Sequence, residues 1–356
     1  MSQVFRLHAA VLGLLLCAGT PPLKADPKGQ TLSHEFPSLD GNFVAERVLE
    51  GLSQPAALEF LPDGRLLIAQ RDRGLITVAD PATGAMQDIT GLPRMVVYGD
   101  AGVHDIELHP DYAQNGWIYV SYTDGEEVHC TAVLDRFRLE GSRAVDVQRV
   151  FTADAYSEDA YHLAARMAFV DGYLFVAFGD RQHPPKAQDN SNHAGAVVRL
   201  KDDGSVPGDN PFVGVEEEGK PKPRPEIWSY GHRDPMGLYR HPESGELWLH
   251  EHGPRGGDEI NLVLPGRNYG WPEITFGKEY WGPLAVGEGT ERDDVEPPVK
   301  QYTPSIAPDV HAGAAAPLRH NGRGRVDSGP QIGSRRAGCA RTARSLRVPR
   351  VAHACR

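Results

Sequence analysis

Four times along this chain of 356 residues a short apolar strand, a turn of Pro, Asp, Gly or Asn type, and a second strand rich in aromatic and β-branched residues follow one another. The copies are LEFLPDGRLLIAQ (58–70), IELHPDYAQNGWIYVSYT (106–123), MAFVDGYLFVAFGD (167–180) and LYRHPESGELWLHEHG (238–253). Each is a β-hairpin signal. A lone hairpin cannot bury its apolar face. Four copies starting roughly 50–70 residues apart point to repeated units, each with a hairpin as the inner half of a four-stranded blade. Further strand-like pieces lie between them: GLITVAD (74–80), AVLDRFRLE (132–140), AVVRLKDDG (196–204) and EINLVLPG (259–266). No helical periodicity of useful length appears. The fold class read from this pattern is all-β, a β-propeller, with a β-sandwich as the rival.

Composition excludes some partners. With 40% hydrophobic residues the chain can build a large core, and all-β domains of this size often form one unit. A net charge of -11 argues against a nucleic-acid surface. At the N-terminus, Arg6 precedes an apolar run from Leu7 to Gly19, and small residues end near Ala25. Residues 1–25 therefore read as a secretory signal peptide, too short to span a membrane, and imply a periplasmic or secreted protein. Leu16 before Cys17 makes a poor lipidation site, and no later stretch suits a transmembrane segment. Cys339 and Cys355 lie in the tail, so Cys130 is alone in the body: a disulfide scaffold and a thiolate metal site are both excluded. Residues 26–43 read as a linker, and the propeller is expected over 44–308.

Chemistry concentrates between Trp228 and Trp271, where GHRDPMGL, HEHGP, GGDEIN and NYGW follow in close order. Gly and Pro punctuate the stretch so often that its polar groups belong on turns between strands. HGPRGGDE offers turn carbonyls followed by Asp258 and Glu259, the oxygen donors that calcium prefers, although a solvated acidic turn gives the same pattern. His250, Glu251 and His252 resemble a transition-metal cluster, but strand alternation sends Glu251 to the face opposite the histidines. His162 precedes the third hairpin and suits proton abstraction near neutral pH. Asp180 ends that hairpin, so the turn can return it to His162 and fix the imidazole tautomer. Arg233 could fork onto an anionic ligand or form an inter-blade salt bridge.

Taken together, WSYGHRDPMGL, EHGPRGGDEINLVLPGRNYGWP, AFGDR with AQDNSNHAG, and HDIELHPDYAQNGWIYVSY resemble the soluble quinoprotein sugar dehydrogenases. The resemblance covers roughly residues 40–308. It implies a six-bladed β-propeller, here incomplete at the C-terminus, that binds pyrroloquinoline quinone (PQQ) and Ca2+ at one end of its channel. It also implies oxidation of an aldose at the anomeric carbon, with electrons passed to a quinone or other acceptor; the family leaves room for a homodimer.

By position, His162 matches the general base, Asp180 its supporting acid, and Arg233 the arginine on the cofactor's oxygens. Asp234 falls where soluble glucose dehydrogenase has asparagine, and His252 where it has glutamine. The carbonyls of Gly253 and Pro254 match those on the ion that polarises the quinone. Asp258, Glu259 and Tyr269 match a second, structural calcium site. Gln188 aligns with a sugar-contacting glutamine, Asp100 replaces a glutamine of the substrate pocket, and Ser305 is the last cofactor-facing position. Two other classes fit part of this pattern: a calcium-dependent propeller lactonase, which would not need GHRDP, and a non-catalytic or truncated carbohydrate-binding propeller.

The pattern stops after Pro308. From His311 onward there are ten arginines and no lysine, glutamate or aromatic residue. Residues 309–356 thus read as a basic tail outside the family, with the composition of a GC-rich gene translated out of frame. The expectation is that this tail does not pack as a blade. Relatives continue with further propeller and with basic residues on PQQ, so impaired activity is expected of the chain as written.

Overall fold

The computed structural model describes residues 31–309 apart from 39, 40, 217 and 220. Two compact units emerge. In the smaller one, β1 (Thr31–Ser38) and β2 (Gly41–Glu46) pair antiparallel, closing with Ser38 opposite Gly41. Much of the stretch expected as linker is therefore a hairpin; Pro37, which argues against a strand in sequence terms, lies inside β1. The expected signal peptide lies outside the described residues, as does the tail beyond Asp309.

The larger unit holds four four-stranded antiparallel sheets in chain order. The first is β3 (Pro55–Phe60), β4 (Leu66–Gln70), β5 (Leu75–Ala79) and β6 (Met86–Asp88). The second is β7 (Val103–Leu108), β8 (Ile118–Glu126), β9 (His129–Glu140) and β10 (Arg143–Thr152). The third is β11 (Ala164–Val170), β12 (Tyr173–Phe178), β13 (Ala196–Leu200) and β14 (Ile227–Tyr230). The fourth is β15 (Pro235–Arg240), β16 (Leu247–Glu251), β17 (Asp258–Leu262) and β18 (Lys300–Tyr302). Each sequence hairpin supplies the first two strands of a sheet. β3 packs on β7, β7 on β11, and β11 on β15, so the first strands line a common axis. This is a β-propeller, with four blades among the described residues and not the six of the full family pattern.

Between blades lie three apolar layers. Val120, Tyr122 and Phe137 join the first and second blades; Tyr119, Met167 and Phe178 join the second and third; Phe175, Val197 and Leu249 join the third and fourth. All are buried, and the second and third blades each contribute residues to the layers on both of their sides. Burial at roughly 25 cal/mol per Å² of apolar surface makes these layers the main stabilising term. Among the described residues no helix is long and apolar enough to cross a membrane.

Along the axis, towards the C-terminal ends of the first strands, a cavity of about 380 Å³ contains Glu59, Asp105 and Glu107 with Arg166 and Arg240. Burial pushes Glu59 up to about 7, against a bond from the Phe60 amide, and also raises Asp105 and Glu107. The opposite end of the axis carries the candidate chemistry.

Candidate active site

His162 sits in the turn that enters β11, with φ at +49°. Its Nδ1 lies 2.7 Å from Asp180 Oδ1, just beyond the end of β12. The carboxylate accepts, so the ring proton is assigned to Nδ1 and the Nε2 lone pair is left for other work. Asp180 is fully buried and its other partners are fixed: Gln182 N–H donates to Oδ1 at 2.8 Å and Trp271 Nε1–H to Oδ2 at 2.7 Å.

A cavity of about 830 Å³ opens in front of this pair. His162, Arg233, Asp234, His252, Gly253, Pro254, Ser305 and Ala307 line it, with Arg255, Lys278 and Tyr280 at its rim. Asp234 Oδ2 stands 3.9 Å from both His162 Nε2 and His252 Nδ1, so one carboxylate lies between two imidazoles. Asp100 faces the same region across Arg71, whose Nη1 is 4.0 Å away. Burial holds Asp100 above the ordinary carboxylate range; Arg71 pulls it down and Asp234 pushes it up.

Arg233 reaches the cavity from the turn between β14 and β15. Its Nη1 donates to the carbonyls of His252 (3.1 Å) and Gly253 (3.0 Å), its guanidinium lies 5.2 Å from the Trp271 ring, and Nη2 is 3.4 Å from Tyr280 Oη. Among the described residues Nε has no partner although it is buried. Gly253 must be glycine: a Cβ there would stand 2.4 Å from the Gly256 and Gly257 carbonyl oxygens. The bare backbone lets this turn fold tightly under the cavity.

The GGDE turn separates its two acids. Asp258 is fully buried, accepting from Gly253 N–H at 3.1 Å with Oδ1 and from Ser305 Oγ–H (2.6 Å), Ile306 N–H (2.8 Å) and Ala307 N–H (2.8 Å) with Oδ2. Its carboxylate ties the 253 turn to the 305–307 turn. Ser305 accordingly spends its hydroxyl on Asp258 while lining the cavity. Glu259 turns the other way, into a cavity of about 10 Å³ shared with Glu251 and Tyr269, room for one water-sized body. Burial and the Glu251 charge push Glu259 up to about 8. Tyr269 donates its hydroxyl to Leu262 O (2.5 Å) and accepts from Leu264 N–H (2.9 Å). Among the described residues no group of three or more His, Cys, Asp and Glu stands in metal-holding geometry.

β16 ends at Glu251, and His252, one residue past the strand, donates Nε2–H to Pro308 O of the far loop at 2.8 Å. Glu251 proves central. It accepts from His232 Nδ1–H (3.0 Å), Arg233 N–H (2.6 Å) and Asn261 Nδ2–H (3.0 Å). Gln188, expected at the sugar, instead uses its amide on Asn268 (2.9 and 2.8 Å) and on Trp271 O (2.7 Å). It braces the loop that carries Trp271. The sequence offers Glu251 only as part of a metal-like cluster with His250 and His252, and gives no sign of Arg255 or Lys278; the NYGW close is the visible sign of Trp271.

Comparison with known proteins gives one consistent family. Residues 52–315 match the glucose / sorbosone dehydrogenase family. The aldose sugar dehydrogenase YliI of Escherichia coli is 39% identical over 257 residues, 69% of this chain and 68% of that protein. Quinoprotein glucose dehydrogenase B of Acinetobacter calcoaceticus is 30% identical over 67% of this chain and 54% of its own length. The PQQ-bound aldose sugar dehydrogenase structure from Streptomyces coelicolor superposes with a TM-score of 0.56 at 27% identity, covering 71% of this chain and 69% of that one. The chain thus spans about two thirds of one curated relative and about half of the other. A match over most of the chain, on a propeller whose loops converge on one cavity, leaves a single assignment: this chain belongs to the glucose / sorbosone dehydrogenase family.

Proposed function

We propose that the cavity in front of His162 oxidises an aldose at its anomeric carbon to the lactone, using PQQ and calcium, with the electrons passed on to a quinone or artificial acceptor. The observation that carries this reading is the His162–Asp180 pair, held at 2.7 Å, opening onto a cavity rimmed by three cationic side chains. The six-bladed ring of the family, an exported location and a homodimer belong to the same reading.

The residues present suit the cofactor. PQQ is a planar quinone with three carboxylates, and Arg233, Arg255 and Lys278 supply cationic donors around one space. The buried, unpartnered Nε of Arg233 adds a donor that an anion could satisfy. For calcium the fit divides. Glu259, with Glu251 beside it, offers two carboxylates around a space for one body, where burial and the Glu251 charge raise Glu259 and a cation would offset the like charges. Asp258 has both oxygens engaged by backbone and Ser305, so its part is to brace the loop. The Gly253 carbonyl faces the cavity while accepting from Arg233, so a cation there would share that oxygen with the guanidinium or replace it.

When bound, PQQ supplies the two-electron acceptor for the hydride of the anomeric carbon, and calcium supplies Lewis-acid polarisation. The protein's share is the proton. Nε2 of His162 takes the hydrogen of the anomeric hydroxyl, and the resulting imidazolium is stabilised by Asp180 through Nδ1–H. Trp271 and Gln182 keep Asp180 from rotating away. Arg233, immobilised on two carbonyls, presents positive charge where negative charge gathers during oxidation. The test is direct: titrating the chain with PQQ should shift the cofactor's absorbance, and Arg233→Met should weaken that binding. Unchanged affinity in the variant would remove Arg233 from the cofactor.

A further inference from the structure

Arg181, next to Asp180, heads the fully buried side chains by size, with 1% of its surface exposed. A guanidinium at that depth ordinarily faces a carboxylate. Among the described residues, Arg181 bonds to backbone carbonyls instead. Nε donates to Ala155 O at 3.1 Å, Nη1 to Tyr161 O, and Nη2 to Asp159 O at 2.6 Å and Cys130 O at 3.4 Å. Cys130 belongs to β9 in the preceding blade; the other three acceptors belong to the crossing that leads from β10 into His162.

The contact with Tyr161 O is the telling one. Tyr161 O is part of the peptide that enters His162, whose φ of +49° is a conformation non-glycine residues rarely adopt. The same segment is pressed onto the strand end at Gly179, where a Cβ would stand 2.2 Å from His162 O. Tyr161 itself is exposed, so apolar packing of its side chain does not hold the turn in place. Charge-assisted bonds from a rigid fork can hold it.

We propose that Arg181 is a positioning residue for His162. Its guanidinium gathers carbonyls from β9 and from the crossing between the second and third blades and fixes the 161–162 peptide, so that Nδ1 meets Asp180 and Nε2 faces the cavity. This rests on the reading of His162 as the base, but its test does not require turnover.

The experiment compares the full chain, labelled with 15N-histidine, with Arg181→Met and with Arg199→Met. Arg199 is an equally useful control because it too is buried in the third blade, on Asn210 and between Tyr173 and Trp228. The readout is the hydrogen-bonded Nδ1 proton of His162, assigned by its disappearance in His162→Gln. It should be lost or shifted towards a free imidazole in Arg181→Met and kept in Arg199→Met, although both variants melt earlier. With PQQ and an aldose supplied, Arg181→Met should lower kcat by about a hundredfold and leave KM within about twofold, the cost of a misplaced group. An unchanged proton in Arg181→Met, or equal loss in both variants, overturns the proposal. Should Arg181→Met fail to fold, Arg181→Lys, which keeps the charge without the fork, is read by the same signal. The expected proton result with no oxidation in any form would support the positioning role and count against the proposed reaction.

Discussion

Trp271 donates its indole N–H to Asp180 at 2.7 Å, joining two residues 91 positions apart. The bond couples the aromatic close of the fourth-blade loop to the carboxylate behind His162. Trp271→Phe keeps the ring and removes the donor, leaving Asp180 Oδ2 buried without its partner. The expected loss is about 1–3 kcal/mol in urea unfolding. In a PQQ-supplemented assay kcat should fall by roughly tenfold or more, while KM stays near its wild-type value.

Asp258 tests whether the acidic turn is a metal ligand or a backbone brace. Its oxygens accept three backbone amides and one hydroxyl. Asp258→Asn should therefore cost about 1.5–3 kcal/mol, the range for hydrogen bonds to a charged group. The same loss is expected with and without a calcium chelator. A difference that vanishes in chelator would return Asp258 to the ion.

Glu259 should behave in the opposite way. Calcium added to the wild type should raise the melting temperature, by the equivalent of about 2.7 kcal/mol at a hundredfold excess over Kd. Glu259→Gln removes one charge of the buried pair with Glu251 and should abolish that response. A full calcium response in the variant would place the ion elsewhere.

The axial carboxylates set a pH dependence. Glu59 is raised in the folded state to about 7, from an ordinary value of 4.5. A raised carboxyl contributes most below its unfolded pKa, and that contribution is lost as pH climbs through 7. Asp105 and Glu107 face it from β7, with Arg166 and Arg240 in the same cavity. Glu59→Gln should accordingly be more stable than wild type at pH 8, by about 1–3 kcal/mol, and the gap should close below about pH 4.5. Paired urea titrations at the two pH values measure it.

The inner strands were legible because β4, β12 and β16 carry apolar runs with turn residues at fixed places. Outer strands were not. β6 and β18 are three-residue pieces, MQD and KQY, with no fully buried residue and no apolar period to read. The same divide runs through the site. His162 and Asp180 flank one hairpin, so a local argument could join them. Glu251 with Arg233, Trp271 with Asp180, and Gln188 with Asn268 meet only when blades and loops converge, and spacing carries no trace of that. Asp258 and Glu259 look interchangeable in GGDE; the strand's alternation sends one to a nest of amides and the other to Glu251.

Dye-linked aldose oxidation by the full chain with PQQ and calcium, run beside His162→Ala, decides whether His162 is the base. Oxidation should depend on added PQQ, and the variant should keep the absorbance of bound PQQ but lose turnover by at least about a hundredfold. A variant that binds PQQ and oxidises the aldose at the wild-type rate would contradict it.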